Sequence, residues 1–206
     1  MGKLVAGTFV TLDGVMQGPG GPNEDREGGF THGGWNAGYW TEDMGPVVQE
    51  QHDRGDALLL GRRTWQIFAA HWPRVPADDP MGAKLNGMPK YVVSDTLERA
   101  DWNNSTIVRG RELKSQVARL KAQGDSEIHV IGSAGLLQTL IREDLIDRYI
   151  VWVFPVVLGT GKRLFGEGAV PLGLRLTRSR SFDSGVAVLD YEREGEIKYG
   201  SFELDQ

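Results

Sequence analysis

Residues 127–141 read EIHVIGSAGLLQTLI, in which a short apolar run passes through glycine directly into a helical pattern. The run Glu127–Ile131 is rich in β-branched residues and predicts a buried strand that ends at Gly132. Four apolar residues then recur at the spacing of one helix face: Leu136, Leu137, Leu140 and Ile141. A strand that leads straight into a helix is the repeating unit of a parallel α/β sheet.

The same alternation of strand and helix patterns runs through the first three quarters of the chain. Further strands are predicted at Lys3–Thr11, Asp56–Leu60, Lys90–Ser94 and Ser105–Val108. Helices are predicted at Glu42–Arg54, at Arg62–His71 and around Leu113, Val117 and Leu120. The proline-rich segment 73–80 is predicted to be a loop.

The pattern changes after the first three quarters of the chain. Strands without intervening helices are predicted at Arg148–Leu158, Leu172–Phe182 and Val186–Glu194, and a last one at Ile197–Leu204. The turn signal Asp183-Ser184-Gly185 makes two of them a hairpin. We therefore predict an α/β fold with a mostly parallel central sheet, flanked by helices, and a C-terminal antiparallel hairpin at its edge. Residues 1–206 are expected to form a single domain.

Composition argues against several classes of function. The 206 residues carry a net charge of −5 and no broad basic face, so no nucleic-acid partner is expected. Cysteine is absent, which excludes disulfides and thiol catalysis, and the four histidines lack the spacing of a metal site. The longest apolar run, Tyr149–Leu158, is too short to span a membrane. We expect a cytoplasmic protein with no metal and no membrane partner.

Two strand-to-helix junctions predict an anion site. One reads GRRT at residues 61–64, and the other reads GSAG at residues 132–135. Free N–H groups at a helix start favour anions, and glycine lets a phosphate approach the backbone. Ligands of open α/β sheets bind at the carboxyl ends of the strands. The two junctions together predict a cradle for a pyrophosphate, although neither matches the common nucleotide fingerprints.

A long loop separates the first strand from the first helix, over about residues 13–41. It begins with glycine and proline and ends in three aromatic residues, Trp35, Tyr39 and Trp40. Long loops inside compact domains are usually functional or disordered, and disordered segments are poor in aromatic residues. The aromatic side chains either stack on a substrate or pack against the domain, and the sequence leaves both interpretations open.

Five segments in this order carry a resemblance to a known family: FVTLDGVMQ (9–17), LLLGRRTW (58–65), YVVSDTL (91–97), IHVIGSAGLLQTLI (128–141) and FPVVLGTGKRLF (154–165). The set resembles the dihydrofolate reductase superfamily. It is most similar to the branch formed by the C-terminal reductase domain of the riboflavin-pathway deaminase-reductase. The resemblance covers about residues 3–194, nearly the whole chain.

The resemblance implies an NADPH site made of five short segments. The phosphates would be held by Gly61, Arg62, Arg63 and Thr64, and the pyrophosphate also by Gly132, Ser133, Ala134 and Gly135. Ser94 and Asp95 would line the adenosine end. Thr11 and Leu12 would lie along the nicotinamide, and Gly159 and Gly161 would border the same cleft.

Three features depart from the family pattern. Asp95 would repel the 2′-phosphate of NADPH or accept a ribose hydroxyl of NADH, whereas Arg62 and Arg63 favour NADPH. NADPH is our prediction, with NADH as the alternative. Ser133 stands where true dihydrofolate reductases show a second glycine. The catalytic acid of those enzymes has no clear counterpart.

Three carboxylates lie near the place where the resemblance puts the catalytic acid. Glu42 and Asp43 are near the start of the helix that follows the long loop, where the helix dipole favours acids regardless of catalysis. Asp13 belongs to an Asp-Gly turn pair and lies next to the nicotinamide edge. The sequence leaves catalytic and structural roles open for all three.

The resemblance implies hydride transfer to a small heterocycle, as in 5-amino-6-(5-phosphoribosylamino)uracil reductase of riboflavin biosynthesis. A pterin reductase, or a non-catalytic nucleotide-binding protein that keeps the fold, are the alternatives. Lys162 and Arg163 either meet a substrate phosphate or lie in a solvated loop. The related reductase domains imply a homodimer, and the apolar late strand with Ile150, Trp152 and Phe154 either faces a partner or belongs to the core.

Overall fold

The computed structural model describes residues 1–167 and 169–202. Eight strands form one sheet: β1 (Lys3–Thr11), β2 (Gly55–Gly61), β3 (Lys90–Val93), β4 (Ser105–Val108), β5 (Glu127–Ile131), β6 (Arg148–Phe154), β7 (Gly173–Ser181) and β8 (Ala187–Gly195). Five α-helices join them in the described residues: α1 (Met44–Asp53), α2 (Arg62–His71), α3 (Pro80–Gly87), α4 (Leu113–Lys121) and α5 (Ala134–Arg142).

The sheet has the strand order β4-β3-β2-β5-β1-β6-β8-β7. Strands β1 to β6 pair in parallel, and β8 then pairs antiparallel with both β6 and β7. This confirms the predicted α/β fold, its mostly parallel sheet and its antiparallel edge hairpin. The central strand β1 lies between β5 and β6, with Val5 beside both His129 and Arg148.

Each face of the sheet carries its own core, because alternate side chains of a strand point to opposite faces. The face covered by α4 and α5 is built from buried aliphatic residues: Leu4, Ala6, Leu59, Ile128, Val130, Val117, Leu120, Leu137 and Leu140. The other face carries α1, α2 and α3, and its cores contain more aromatic residues: Phe30, Trp35, Trp152, Phe154, Phe182, Trp65 and Trp102. Helices on both faces bury the sheet and leave its carboxyl edge open for a site.

The late strand β6 is shorter than predicted, and its apolar residues belong to the core. The predicted strand Arg148–Leu158 ends at Phe154, because Pro155 has no N–H to continue the ladder. Ile150, Trp152 and Phe154 are all buried within the chain. These three residues therefore do not face a partner, and the homodimer stays a prediction without that argument.

Two other predictions are corrected at element boundaries. The predicted helix Glu42–Arg54 begins only at Met44, after Asp43 as its N-cap. Helix α3 was not predicted, although Asp79 caps it by accepting a hydrogen bond from the Gly82 N–H (2.7 Å).

The predicted last strand Ile197–Leu204 is also corrected. Residues 197–202 form no strand, because the chain leaves the sheet at Gly195, whose φ is +103°. Residues 203 and 204 lie outside the described part of the chain. No helix within residues 1–167 and 169–202 is both long enough and apolar enough to cross a membrane.

Candidate cofactor and substrate cleft

A cleft of about 1500 Å³ opens at the carboxyl ends of the parallel strands. Both glycine junctions line it, together with the loop 16–25, the second half of α1 and the segment around Lys162. Small-molecule pockets usually measure about 300–1,000 Å³, so this cleft has room for a dinucleotide and a second small molecule.

The two glycine junctions contact each other. Gly61 closes β2 and its N–H donates a hydrogen bond to the Ser133 Oγ (2.9 Å). A Cβ at Gly61 would lie 3.2 Å from the Ser133 Cβ, so a side chain there would press on the second junction. The structure therefore brings both predicted halves of the anion cradle together, and Ser133, the second departure from the family pattern, links them.

Neither helix that starts at the cleft has a side-chain cap. The N-cap of α2 is Gly61, which has no side chain to act as a cap. The N-cap of α5 is Ser133, whose side chain accepts no hydrogen bond from the first turn of that helix. The free N–H groups of both first turns are thus available to an anion. A Cβ at Gly135 would meet no atom within 4 Å, so the approach to α5 is open.

The predicted arginines of the first junction differ in their partners. The Arg62 guanidinium donates to the Thr96 Oγ1 (2.9 Å) and has no carboxylate partner among the described residues. Arg63 forms ion pairs with Glu27 (2.6 Å) and Asp25 (3.3 Å), both from the long loop. Thr64 lines the cleft beside them. Arg62 is therefore the arginine of this junction with no competing anion.

Lys162 completes an ion cluster across the cleft. Its Nζ lies 2.5 Å from both the Asp25 Oδ2 and the Glu27 Oε2. Burial raises the pKa of Asp25, but the Lys162 hydrogen bond and the nearby cations outweigh it and lower that pKa overall. Hydrogen bonding to Lys162 likewise lowers the pKa of Glu27. Two cations and two carboxylates thus neutralise each other at the mouth of the cleft.

The side-chain amide of Gln17 joins three parts of the chain: the segment after β1, the loop residues 25–27 and the segment at Lys162. The buried Nε2 donates to the carbonyls of Asp25 (3.3 Å) and Glu27 (3.0 Å), and the Oε1 accepts from the Lys162 N–H (3.0 Å). The sequence analysis did not single out Gln17, since its partners are remote in the sequence. The amide fixes the long loop against the cleft and keeps it from being a mobile insertion.

The predicted adenosine end is divided between the cleft and the interior. Asp95 lines the cleft, and its Oδ1 accepts a hydrogen bond from the Gly110 N–H (2.8 Å). Ser94 is buried behind it, where its Oγ accepts from the Leu97 N–H (3.0 Å). Only Asp95 of this pair thus faces the cleft.

The residues predicted to lie along the nicotinamide, Thr11 and Leu12, belong to a turn and do not line the cleft. The Thr11 Oγ1 donates to the Asp13 Oδ1 (2.6 Å), and Asp13 also accepts from the N–H groups of Leu158 (3.2 Å) and Gly159 (2.8 Å). These hydrogen bonds hold the pKa of Asp13 well below its usual range. Leu12 points outward and is 69% exposed. Asp13 thus serves as a turn-fixing carboxylate at this position.

The backbone conformation and the close packing at position 161 require glycine. Its φ is +123°, and a Cβ would lie 2.6 Å from the Val15 Cγ1. The residue lets the segment after β6 pack against the loop that follows β1. Neither Gly159 nor Gly161 contributes to the lining of the cleft.

The three aromatic residues of the long loop pack against the core. The Trp35 indole donates to the Gln17 carbonyl (2.8 Å) and lies edge-on to Phe154, 5.4 Å between centroids. Tyr39 also contacts Phe154, and Trp40 stacks on Trp152 at 6.2 Å. None of the three lines the cleft. The arrangement is the packing alternative left open by the sequence.

The other two candidates for the catalytic acid, Asp43 and Glu42, also lie outside the cleft. Asp43 accepts from the Thr41 Oγ1 (2.6 Å) and lies 4.0 Å from Arg180. Glu42 is exposed beside it. The helix α1 does reach the cleft, but with residues nearer its C-terminal end: Val48, Gln51 and His52. His129 and Trp152 line the same inner end.

The fold and this cleft define a class of protein, and comparison with known proteins identifies it. The chain belongs to the RibD C-terminal domain family, whose model matches residues 2–188. This confirms the resemblance read from the five segments. Membership supports a reductase-like function.

Curated relatives cover most of the chain. It is 27% identical over 202 residues to the uncharacterized protein YyaP of Bacillus subtilis (strain 168), spanning 94% of this chain and 96% of that relative. It is also 33% identical over 131 residues to the uncharacterized protein YwjB of the same organism, spanning 64% and 70% respectively.

Solved structures share the fold. A putative riboflavin biosynthesis protein from Shewanella sp. PV-4 matches with a TM-score of 0.69 and 24% identity, over 93% of this chain and 99% of that one. A diaminohydroxyphosphoribosylaminopyrimidine deaminase/5-amino-6-(5-phosphoribosylamino)uracil reductase from Thermotoga maritima matches with a TM-score of 0.59 and 13% identity, over 93% and 56%. At these identities the likeness concerns the fold alone.

Proposed function

We propose that this protein is an NADPH-dependent oxidoreductase that transfers a hydride to a small heterocycle. The observation that carries the proposal is the pair of uncapped helix starts, joined by the Gly61–Ser133 hydrogen bond and open on one cleft. Two such starts side by side suit the two phosphates of a dinucleotide. The family to which the chain belongs supports a reductase.

The residues present fit a nicotinamide dinucleotide. The pyrophosphate would be held by the first turns of α2 and α5, with Gly135 leaving space for it. Arg62 would take the 2′-phosphate, since its charge has no carboxylate partner among the described residues. Bound NADPH supplies the hydride for the reduction. Asp95 is the residue that opposes this choice and would favour NADH.

The chain's own contribution is orientation and exclusion of water. The inner end of the cleft is lined by apolar side chains of the central strands: Val5, Phe9, Ile150 and Trp152. A flat ring lying there would be held against β1, and the loop 16–25 would cover it. Closing such a site strengthens its electrostatic interactions and keeps the reacting atoms in register.

The substrate class that we propose is an unphosphorylated heterocycle such as a pterin. Lys162 is already paired with Asp25 and Glu27, and the Arg163 guanidinium donates to the Asp13 carbonyl (3.0 Å). Neither cation is free to bind the phosphate of a phosphoribosyl substrate. The reduction of 5-amino-6-(5-phosphoribosylamino)uracil, which the resemblance implied first and which stands in the name of the Thermotoga maritima protein, becomes the alternative.

Titration with NADPH and NADH tests the cofactor proposal. Trp72 and Trp152 line the cleft, so quenching of tryptophan fluorescence would report binding. We expect NADPH to bind about tenfold more tightly than NADH, which corresponds to about 1.4 kcal/mol. A preference for NADH would assign Asp95 to the ribose, and binding of neither would reject the reductase proposal.

Turnover then separates the remaining alternatives. Dihydrofolate, 7,8-dihydropterin, 5-amino-6-(5-phosphoribosylamino)uracil and its dephosphorylated form would be supplied with NADPH, and loss of the dihydronicotinamide absorbance followed. Faster turnover of the unphosphorylated compounds supports the first substrate class. Tight NADPH binding without any turnover would favour the non-catalytic nucleotide-binding protein.

A further inference from the structure

The inner end of the cleft contains a pair of histidines that the cofactor site does not use. His52 lies on α1 and His129 on β5, and their ring centroids are 6.4 Å apart. Both line the cleft, beside Val48 and Gln51 of the same helix. The Gln51 Oε1 is occupied by the Trp152 indole N–H (3.0 Å). The pair therefore supplies the ionisable groups at this end of the cleft.

Hydrogen bonding fixes which nitrogen of His52 is held by the helix. The Nδ1 lies 2.8 Å from the Val48 carbonyl oxygen. Because a carbonyl can only accept, Nδ1 carries a hydrogen and donates it. The Nε2 is then the nitrogen that can take up or release a proton, and burial lowers the pKa of His52. Within residues 1–167 and 169–202 the His52 Nε2 has no hydrogen-bond partner, and a histidine with one nitrogen anchored and the other unpaired has the arrangement of a proton-transfer group.

His129 is oriented by a buried chain of charges. Its Nε2 lies 3.0 Å from the Glu127 Oε2, and the Glu127 Oε1 accepts from the Arg148 guanidinium (2.7 Å). Arg148 in turn forms two hydrogen bonds with Asp190. Gly55 makes room for the imidazole, since a Cβ there would lie 3.1 Å from the His129 Nδ1. Buried ionisable groups are costly, and paired ones beneath a cleft are typical of functional sites.

Resting on the proposed function, we propose that His52 in its imidazolium form donates the proton in the reduction, through Nε2, and that His129, which Glu127 orients, lies beside it as a positioning residue. Hydride transfer from a bound dihydronicotinamide would deliver both electrons, as H⁻, to the carbon of a C=N or C=O bond. The π electrons of that bond then form a bond to the proton released by the His52 Nε2, on nitrogen or oxygen. His52 is left neutral and regains its proton from solvent.

Four carboxylates of the cleft are already engaged by other groups of the chain or lie away from its inner end. Asp25 and Glu27 are held by Lys162, and Asp95 lies at the predicted adenosine end. The Glu24 Oε2 accepts from the N–H groups of Gly20 (2.6 Å) and Gly21 (3.1 Å).

Three ionisable groups act electrostatically on His52 from the elements around it. His129 of β5 and Lys84 of α3 oppose its protonation, and Asp53 of α1 favours it. Their opposing effects leave desolvation as the main influence on the imidazole.

The test is the variant His52→Gln, with His32→Gln as its matched control. His32 lies edge-on to Phe30 and outside the cleft. The same substitution there leaves the cleft unchanged. Single-turnover hydride transfer would be followed across pH with NADPH and the best substrate of the panel above. General acid catalysis contributes about 10²–10⁴-fold, so we expect at least a hundredfold loss in the His52 variant.

Two further readouts separate proton donation from packing. The wild-type rate should fall as pH rises through the pKa of His52, whereas the His52→Gln rate should be flat there. NADPH binding and the urea midpoint at neutral pH should be unchanged, because Gln can still donate to the Val48 carbonyl. Glu127→Gln should shift the pH profile without abolishing turnover.

The outcomes distinguish the two proposals. If wild type and His32→Gln transfer hydride but His52→Gln keeps both its rate and its pH profile, the assignment of His52 is wrong and the reductase stands. If neither wild type nor His32→Gln binds NADPH, the proposed function fails and the assignment fails with it.

Discussion

At the scale of single residues, Ser133 combines a strained backbone with a linking hydrogen bond. Its backbone is left-handed, with φ 64° and ψ 63°, and such a conformation costs an L-residue about 1–2 kcal/mol. Its Oγ accepts the Gly61 N–H (2.9 Å), and a hydrogen bond of this kind contributes about 1 kcal/mol. The two effects nearly offset each other. This explains how serine is tolerated where dihydrofolate reductases carry glycine.

We predict that Ser133→Ala destabilises the protein by about 1 kcal/mol, because it loses the hydrogen bond and keeps the strain. Ser133→Gly should leave stability nearly unchanged, since it loses both together. Urea unfolding of the two variants measures the difference. Equal stabilities would show that the left-handed backbone carries no cost at this position.

Asp95 sets the second prediction at this scale. Asp95→Asn removes the charge but keeps an Oδ1 that can accept from the Gly110 N–H. We expect NADPH affinity to rise several-fold while NADH affinity changes little, because a carboxylate repels the 2′-phosphate. Asp101→Asn, at an exposed aspartate paired with Arg99, is the control. An unchanged preference would place the 2′-phosphate away from Asp95.

At the scale of elements, helix α1 links stability to pH through His52. The unfolded chain has a histidine pKa near 6.5, and burial lowers the folded value below it. Between these two values the unfolded state binds more protons, so stability rises with pH across that window and falls as pH drops below about 6.5. The helix carries this dependence because it presses the imidazole against the sheet.

We therefore predict that lowering pH from about 7.5 to about 5.5 destabilises wild type more than His52→Gln. Urea midpoints of both proteins at the two pH values give the difference, and titrations shared by both cancel. A larger loss in the variant would mean that His52 is favoured in its charged form in the folded protein.

Elements differ in how far the sequence predicts them. The strand-to-helix units around Gly61 and Gly132 were predictable, because a change of hydrophobic period and a glycine lie within a few residues. Helix α3 was missed because the proline-rich segment before it reads as loop, although Asp79 followed by Pro80 is a helix-start signal. The pairing of His52 with His129 required the position of α1 over β5, which no local pattern contains.

At the scale of the whole molecule, the ion cluster joins parts of the chain that are far apart in sequence. Asp25 and Lys162, 137 residues apart, meet beside Arg63 of α2. Neither the covering of the cleft by the long loop nor the pairing of Lys162 could be predicted from sequence, since both depend on this assembly. The anion cradle formed by the two glycine junctions could be predicted from the sequence. Which of its two arginines has no carboxylate partner among the described residues could not.

We predict that Lys162→Met increases hydrogen exchange of backbone amides in residues 18–27 by several-fold. Lys162 makes two ion pairs with this segment, so their loss should raise the population of its locally open states. Amides of β1 should exchange at the wild-type rate. Lys114→Met is the control, because its pair with Glu143 is exposed and lies outside the cleft. Unchanged exchange in the loop would show that Gln17 alone holds it.

The proposed function places the pyrophosphate of NADPH at the start of α5, and calorimetric titration of Gly135→Glu tests this placement. The new carboxylate would enter open space and suit the helix start, so the fold should be unharmed. Gly38→Glu, equally open but outside the cleft, is the control. We predict that Gly38→Glu binds NADPH like wild type and that Gly135→Glu binds it at least about a hundredfold more weakly, a difference of about 2.7 kcal/mol. Equal binding by a folded Gly135→Glu protein would contradict this placement.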